Sequence, residues 1–288
     1  MNNKQKGILY SILASLMFGI NPVFAKLVID LTNVETMNVL WTIISSILFV
    51  FLFVFSKKTE YFKIIIKNWK KVALIGLIVT IGSLLYTYGI LYSGPTNAAF
   101  LIQFTTVFTI LFGIIFLKER FTKLEGLGIL IAVFGVFFLA YGNIEIEILS
   151  TLILLIASLF FALENLLEKV YVKNINPLTL AGGRSIFIFL FIFAYSILSG
   201  RLETNISSVV FFYAILGSIT GVFLSFVLFF KALKVFEISK SMTIRTTEPF
   251  LTAIFSFIIL SLIPTVNQLF GGMLIVIGIA ILSLTKGK

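Results

Sequence analysis

A charged pair interrupts an apolar stretch near the end of the chain. Residues 242–250 read M-T-I-R-T-T-E-P-F, and the chain on both sides is apolar for several helical turns. The i, i+3 spacing places Arg245 and Glu248 on one helix face, where they can form an ion pair. Because Pro249 lacks an N–H and disfavours helical geometry at the residue before it, we expect a kinked or open helix. Charges beside unpaired backbone groups are costly in lipid but suit a water-filled cavity.

An alternative exists for the arginine of this pair. Arg245 lies about five residues, or ~8 Å along a helix, from Lys240, so its side chain could extend to the membrane surface. Glu248 lies one turn deeper and cannot use that route easily. We therefore take both residues as candidates for a binding site.

A second set of charges comprises Glu164, Glu168 and Arg184. An unpaired charge at the bilayer centre costs at least about 2.5–3.5 kcal/mol, so each needs a partner or water. Glu168 and Arg184 fall at similar depths on the two arms of a predicted hairpin, which favours a structural ion pair. Glu164 lies one turn deeper on the face of Glu168. Structural and functional roles for Glu164 both stay open.

Uncharged polar residues could complete a cavity with these charges. Asn21 precedes Pro22 and so resembles the arrangement at Glu248 and Pro249. Isolated Ser and Thr residues more often bond their own helix backbone. Weaker candidates are Tyr88, Asn97, Ser218, Thr220 and Ser225. The predicted substrate-binding set is Asn21, Tyr86, Gln103, Glu164, Arg245 and Glu248.

The elements that carry these residues are membrane-spanning helices. The chain is 59% hydrophobic and only 12% charged, and it contains repeated apolar runs of bilayer-spanning length. We predict an all-α integral membrane protein with ten transmembrane helices, at roughly 7–29, 37–55, 72–92, 95–117, 124–141, 149–171, 178–198, 209–231, 239–261 and 265–284. The chain has no cysteine and no histidine, which excludes thiol and imidazole catalysis and the usual zinc sites. We expect no enzyme activity, no metal and no cofactor.

Positive charge predicts the orientation of the chain. Most of the 22 Lys and Arg residues fall in alternate connections, which places both termini in the cytoplasm and the protein in the plasma membrane. The net charge of +10 then reflects topology and attraction to anionic lipid headgroups, not nucleic-acid binding.

The chain repeats itself. The segment A14-S-L-M-F-G-I-N-P-V-F-A-K26 aligns with A157-S-L-F-F-A-L-E-N-L-L-E-K169, and Gly128 and Gly135 align with Gly271 and Gly278 at the same offset. We predict two five-helix units, 1–143 and 144–288, and an odd number of spans inverts the second unit. Inverted repeats are typical of secondary transporters, whose site lies at the repeat interface. The paired glycines would allow close helix packing or a homodimer.

These features together resemble the EamA-like ten-helix family of the drug/metabolite transporter superfamily. The segment from Ala14 to Lys26 and the stretch F116-L-K-E-R-F-T-K-L-E-G-L-G128 carry the resemblance. Lys118-Glu119-Arg120 matches a family motif that caps the fourth span, whereas residues 259–262 lack its glutamate. Pro249 matches a family proline, and Val107 does not.

The resemblance implies a secondary transporter that exports small polar or zwitterionic metabolites such as amino acids. The alternatives are a carrier of sugar phosphates, nucleotide sugars or cationic drugs and, with less support, a passive pore, a scaffold, a membrane enzyme or a lipid-handling protein. Proton coupling is compatible with a buried glutamate, although a nearby arginine opposes it.

Overall fold

The fold is known from a computed structural model that describes residues 3–118, 122–139, 144–172, 174–233, 235, 241 and 244–285. Every regular element within those ranges is a helix. The first half contains α1 (Asn3–Leu31), α2 (Val34–Phe55), α3 (Glu60–Lys67), α4 (Trp69–Leu101), α5 (Phe104–Leu117) and α6 (Lys123–Leu139). The second half contains α7 (Ile144–Tyr171), α8 (Pro177–Leu198), α9 (Ser208–Gly217), a π-helical segment (Ser218–Leu224), α10 (Ser225–Leu233), α11 (Glu248–Leu260) and α12 (Val266–Thr285).

Six helical segments in the described part are long and apolar enough to cross a membrane, by length and composition. They are Gln5–Leu31, Val34–Phe55, Trp69–Leu101, Ile148–Tyr171, Pro177–Leu198 and Ser208–Phe229. Shorter apolar helices run over Phe104–Phe116, Glu248–Leu260 and Val266–Ile281. The prediction of an all-helical membrane protein is confirmed at this level.

Three local features differ from the sequence prediction. The non-helical Gly94 (φ 78°, ψ 167°) lies at the predicted boundary between spans 72–92 and 95–117, but the second of these spans is interrupted at residues 102–103. The short helix α3 lies in a segment that we expected to be a loop. In the predicted span 239–261, the described residues 241, 244 and 245 are helical, a turn follows at 246–247, and α11 begins at Glu248. Residues 119 and 120 of the family motif lie outside the described residues.

The principal helix contacts cross between the two halves of the chain. The pair α6 and α12 has the most extensive contact, followed by α4 with α7. Further large contacts join α1 with α10, α2 with α8, α1 with α11, and α5 with α7. The core of the bundle is therefore the boundary between the halves.

Glycines permit the closest of these contacts. A Cβ atom added to Gly135 would lie 2.5 Å from the carbonyl oxygen of Gly271, and one added to Gly271 would lie 2.7 Å from the carbonyl oxygen of Gly135. Gly278 approaches the backbone of Gly128 in the same way. Close packing by these glycines is confirmed, and it takes place within one chain.

Candidate functional site

A cavity of about 480 Å³ lies between the two halves of the bundle. Its walls come from α1, α2, α4 and α5 of the first half and from α7, α8, α10, α11, α12 and the π-helical segment of the second. The structure brings together all six residues of the predicted set, which are Asn21, Tyr86, Gln103, Glu164, Arg245 and Glu248. Glu168 and Arg184 also line this cavity.

An ion triad forms one charged part of the cavity wall. The guanidinium group of Arg184 on α8 contacts the carboxylates of Glu164 and Glu168, both on α7, and the Glu168 contact measures 2.9 Å from Nη1 to Oε1. The guanidinium carbon also lies 5.3 Å from the ring centroid of Phe226. The expected pair of Glu168 and Arg184 is therefore present, and Glu164 joins it. A single guanidinium faces two carboxylates here.

The second charged part is the pair of Arg245 and Glu248. Arg245 Nε donates to Glu248 Oε1 at 2.6 Å, as the i, i+3 spacing predicts. The guanidinium carbon lies 4.3 Å from the ring centroid of Phe18 and 4.8 Å from that of Phe229. Such ring contacts hold an arginine within the bundle instead of at the membrane surface. The position of Arg245 is therefore that of a cavity residue.

The chain is broken beside this pair. Thr246 and Thr247 form a turn, and α11 starts at Glu248 with Pro249 in its first turn. Proline is well tolerated there because the N–H groups of a first helical turn have no partner within the helix. The predicted opening of the helix is confirmed, and it lies just before the proline.

A matching break occurs in the first half, without a proline. Residues 102 and 103 form a turn between α4 and α5, and Gln103 and Thr105 line the cavity. The buried hydroxyl of Thr105 has no hydrogen-bond partner within the described part of the chain. This break lies 144 residues before the one at 246–247. Both halves thus present an interrupted helix to the same cavity.

Asn21 packs against the π-helical segment of the second half. Its side chain lies directly on Gly221 of the π-helical segment, and a Cβ atom at 221 would lie 2.8 Å from the Asn21 Cβ. One turn before, Gly217 accommodates the ring of Trp41, another lining residue. π-Helical turns are rare and often occur at functional sites. No periodic pattern in the sequence predicts this segment.

The weaker candidates from the sequence do not line the cavity, so their assignment to it is wrong. The hydroxyls of Thr220 and Ser225 donate to the carbonyls of Leu216 and Gly221, at 2.7 and 2.6 Å. Ser218 donates to the carbonyl of Trp41 at 3.3 Å, and Asn97 is buried away from the cavity. Tyr88 belongs to a separate cluster, described below. Short hydroxyls in apolar helices satisfy themselves locally, which explains most of these cases.

Sequence reasoning missed one polar face of the cavity. Asn38, Thr42 and Ser45 of α2 all line it, and the Ser45 hydroxyl lies 3.2 Å from that of Ser185 on α8. Their spacing of four and three residues places them on a single helix face, which was a readable signal. It was overlooked because α2 carries no charge in its central part.

Carboxyl groups outnumber guanidinium groups in the cavity wall. Among the described lining residues there are three carboxylates, Glu164, Glu168 and Glu248, and two guanidinium groups, Arg184 and Arg245. Each guanidinium already contacts a carboxylate. Aromatic rings of Phe18, Trp41, Tyr86, Phe161 and Phe226 form much of the remaining wall.

Comparisons with known proteins agree with this architecture. The structure superposes on a solved structure titled only "Crystal structure of protein", with a TM-score of 0.70 at 13% identity, over 98% of each chain. In all, 21 chains of solved structures match. No curated protein sequence matches significantly. The model of the EamA-like transporter family matches twice, at residues 5–141 and 148–284. The chain is therefore a multi-pass membrane protein of the EamA-like transporter family, whose members are membrane transporters of small substrates.

Proposed function

We propose that this protein is a secondary active transporter of small zwitterionic or amine-bearing metabolites, such as amino acids. Transport would proceed by alternating access around the cavity between the halves, in the direction of export that the family resemblance suggests. The observation that carries the proposal is the set of charged groups in the cavity. Five ionisable side chains of the second half meet there, facing uncharged polar residues of the first half, and carboxyl groups outnumber guanidinium groups by three to two among the described lining residues.

The helix contacts support two halves related by a two-fold axis. Exchanging the halves converts the contact of α1 with α10 into that of α7 with α4, and the contact of α1 with α11 into that of α7 with α5. The contacts α2 with α8 and α6 with α12 convert into themselves. Such a set is expected for inverted repeats that rock against each other around a central site.

We further propose ten spans, with the two units meeting at residues 143 and 144 and with both termini in the cytoplasm. Four shorter apolar helices, α5, α6, α11 and α12, supply the spans that the six long helices leave out. The lysine-rich connections support this orientation in the plasma membrane. Because the glycines of α6 and α12 pack within the chain, a homodimer would have to use another face.

The substrate class follows from how the charges are paired. A zwitterion can contact both charged parts of the cavity wall at once. Its carboxylate would lie on Arg245 of the pair, and its ammonium group on Glu164 of the triad. Glu164 or Glu248 could also carry a coupling proton between the two sides. A sugar phosphate carries no ammonium group, so it would add negative charge to a wall in which carboxyl groups already outnumber guanidinium groups among the described residues. The aromatic wall supports an organic cation as the second candidate.

Thermal unfolding of the purified protein against a ligand panel tests this proposal. The panel contains amino acids, organic amines, cationic drugs and sugar phosphates. A ligand at 100 times its Kd should add about 2.7 kcal/mol of stability. We expect an amino acid or amine to stabilise the wild type but not the charge-balanced variant Arg245→Met/Glu248→Gln. The Asp30→Asn variant, altered outside the cavity, is the control. Stabilisation by sugar phosphates alone would overturn the assigned substrate class.

A further inference from the structure

A cluster of charged and polar side chains outside the cavity joins the two halves at one end of the bundle. Arg201 Nη1 donates to Glu35 Oε1 at 3.1 Å and to the hydroxyl oxygen of Tyr88 at 2.8 Å. Tyr88 in turn donates to Glu35 Oε1 at 2.7 Å. Glu35 and Tyr88 belong to α2 and α4 of the first half, whereas Arg201 follows α8 in the second. The hydrogen bonds of this cluster therefore link the first half of the chain to the second.

The connection between α8 and α9, which contains Arg201, also bonds to the first half at a second point. Asn33 Nδ2 donates to the backbone carbonyl of Arg201 and to Glu203 Oε1, both at 2.8 Å. The backbone N–H of Glu203 donates to the Thr36 hydroxyl at 2.9 Å. Residues 199–207, which connect α8 to α9, therefore bond to the start of α2 over several residues. We call this connection the strap.

The strap also covers apolar surface of the bundle. Leu202 and Ile206 are partly buried and pack against two different core clusters. The polar bonds of Arg201 and Glu203 lie on either side of Leu202. A connection held by both polar and apolar contacts has a defined position across the end of the bundle.

The position of the cluster relative to the cavity suggests its role. Asn38 lies one turn beyond Glu35 on α2, and Thr87 precedes Tyr88 on α4; Asn38 and Thr87 both line the cavity. The Thr87 hydroxyl donates to Asn38 Oδ1 at 3.4 Å. The cluster thus lies directly behind the wall that α2 and α4 give the cavity.

Burial within the cluster is uneven. The Glu35 side chain is 2% exposed, whereas that of Arg201 is 59% exposed. The hydrogen bond to Glu35 raises the pKa of the Arg201 guanidinium, so the arginine is charged at any physiological pH. A buried carboxylate depends on its partners, since removing one leaves an uncompensated charge. If the strap swings away, Glu35 must gain water, and water enters the adjacent cavity wall.

We propose that the strap is a latch that closes the cavity toward the outer face, with Glu35, Tyr88 and Arg201 as its fastening. The latch releases when the halves rock apart and forms again when the cavity opens to the cytoplasm. This proposal assumes that the cavity is the transport pathway, as proposed above.

The absence of native cysteine makes the latch directly testable. A single reporter, Ser83→Cys, places a thiol in the cavity wall. Intact cells are treated with a membrane-impermeant maleimide, and the labelling rate is compared between variants. We expect Glu35→Gln and Arg201→Gln each to raise the labelling rate about tenfold, which corresponds to about 1.4 kcal/mol between closed and open states. Asp30→Asn, which removes an ion pair within α1, should leave the rate unchanged.

A tether provides the converse test. In the variant Ser83→Cys/Thr36→Cys/Glu203→Cys, oxidation should form a disulfide across the strap, because the Thr36 hydroxyl contacts the Glu203 backbone. We expect oxidation to suppress labelling at position 83 and reduction to restore it. Equal labelling rates in the folded Glu35, Arg201 and wild-type proteins, or labelling that the tether does not change, would overturn the latch. Neither readout needs a substrate, so failure of the latch is distinct from failure of the proposed transport function.

Discussion

The guanidinium group of Arg184 contacts the carboxylate of Glu164 across the hairpin of α7 and α8. Glu168, one turn further along α7, contacts the same guanidinium at 2.9 Å. One cation thus holds two carboxylates at the wall of a cavity between the two halves. Because only one of the two can be fully matched, this triad is where a substrate ammonium group or a proton would add the missing positive charge.

Removal of the shared cation should destabilise the folded protein. In Arg184→Met both carboxylates lose their partner, and breaking a buried pair costs about 3–5 kcal/mol. Thermal unfolding in detergent measures the loss. Lys26→Met, which breaks a more exposed pair with Asp30, should cost at most about 1 kcal/mol. Equal losses in the two variants would show that the triad contributes no more than a surface pair.

The pair of Arg245 and Glu248 should behave as a unit. Arg245→Met removes the ion-pair partner of Glu248, whereas Arg245→Met/Glu248→Gln removes both charges of the pair. We therefore expect the double variant to unfold at a higher temperature than the single one. A double variant less stable than the single variant would show that Glu248 has another cationic partner.

The contact of Asn21 with Gly221 leaves no room for a side chain at position 221. Gly221→Ala should therefore displace Asn21 and lower stability by about 1–3 kcal/mol, the usual cost of overpacking. Asn21→Ala/Gly221→Ala should recover most of that loss, because the clashing amide is gone. Unfolding temperatures of the wild type and of both variants measure this, and the absence of any rescue would mean that Gly221 is required by the π-helical segment itself.

The packing of α6 on α12 should tolerate no large residue at Gly135. A leucine there would meet the backbone of Gly271, which cannot move aside as a flexible side chain can. We expect Gly135→Leu to reduce the yield of folded protein sharply. Phe137→Leu on the exposed face of the same helix should have little effect. Yield and monodispersity on size exclusion report both, and a monodisperse Gly135→Leu protein would contradict the close contact.

The composition and spacing of the sequence predicted much of this molecule. Apolar runs predicted a helical membrane protein, and the charged residues within them predicted one cavity lined by Asn21, Glu164 and Arg245 among others. The prediction of the cavity succeeded because a charged side chain in an apolar helix is stable only beside a partner or water. The presence of such a residue therefore indicates its environment.

Other features depend on tertiary packing and left little signal. The predicted second span begins at residue 37, which leaves Glu35 in a connection, and only the folded strap shows that its carboxylate is buried. The break at Gln103 has no proline to mark it. The π-helical turn at Gly221 arises where two halves meet, and a local sequence pattern carries no information about that contact.

The most direct test of the transport account is counterflow in proteoliposomes. Vesicles with purified protein are preloaded with the ligand that stabilises it, and uptake of labelled ligand is followed in wild type and in Glu164→Gln. That variant keeps the pair of Arg184 and Glu168 and should remain folded. We predict saturable uptake that depends on preloading in the wild type and is lost in the variant. Uptake that does not saturate, or that Glu164→Gln leaves unchanged, would contradict the assignment of the triad as the substrate site.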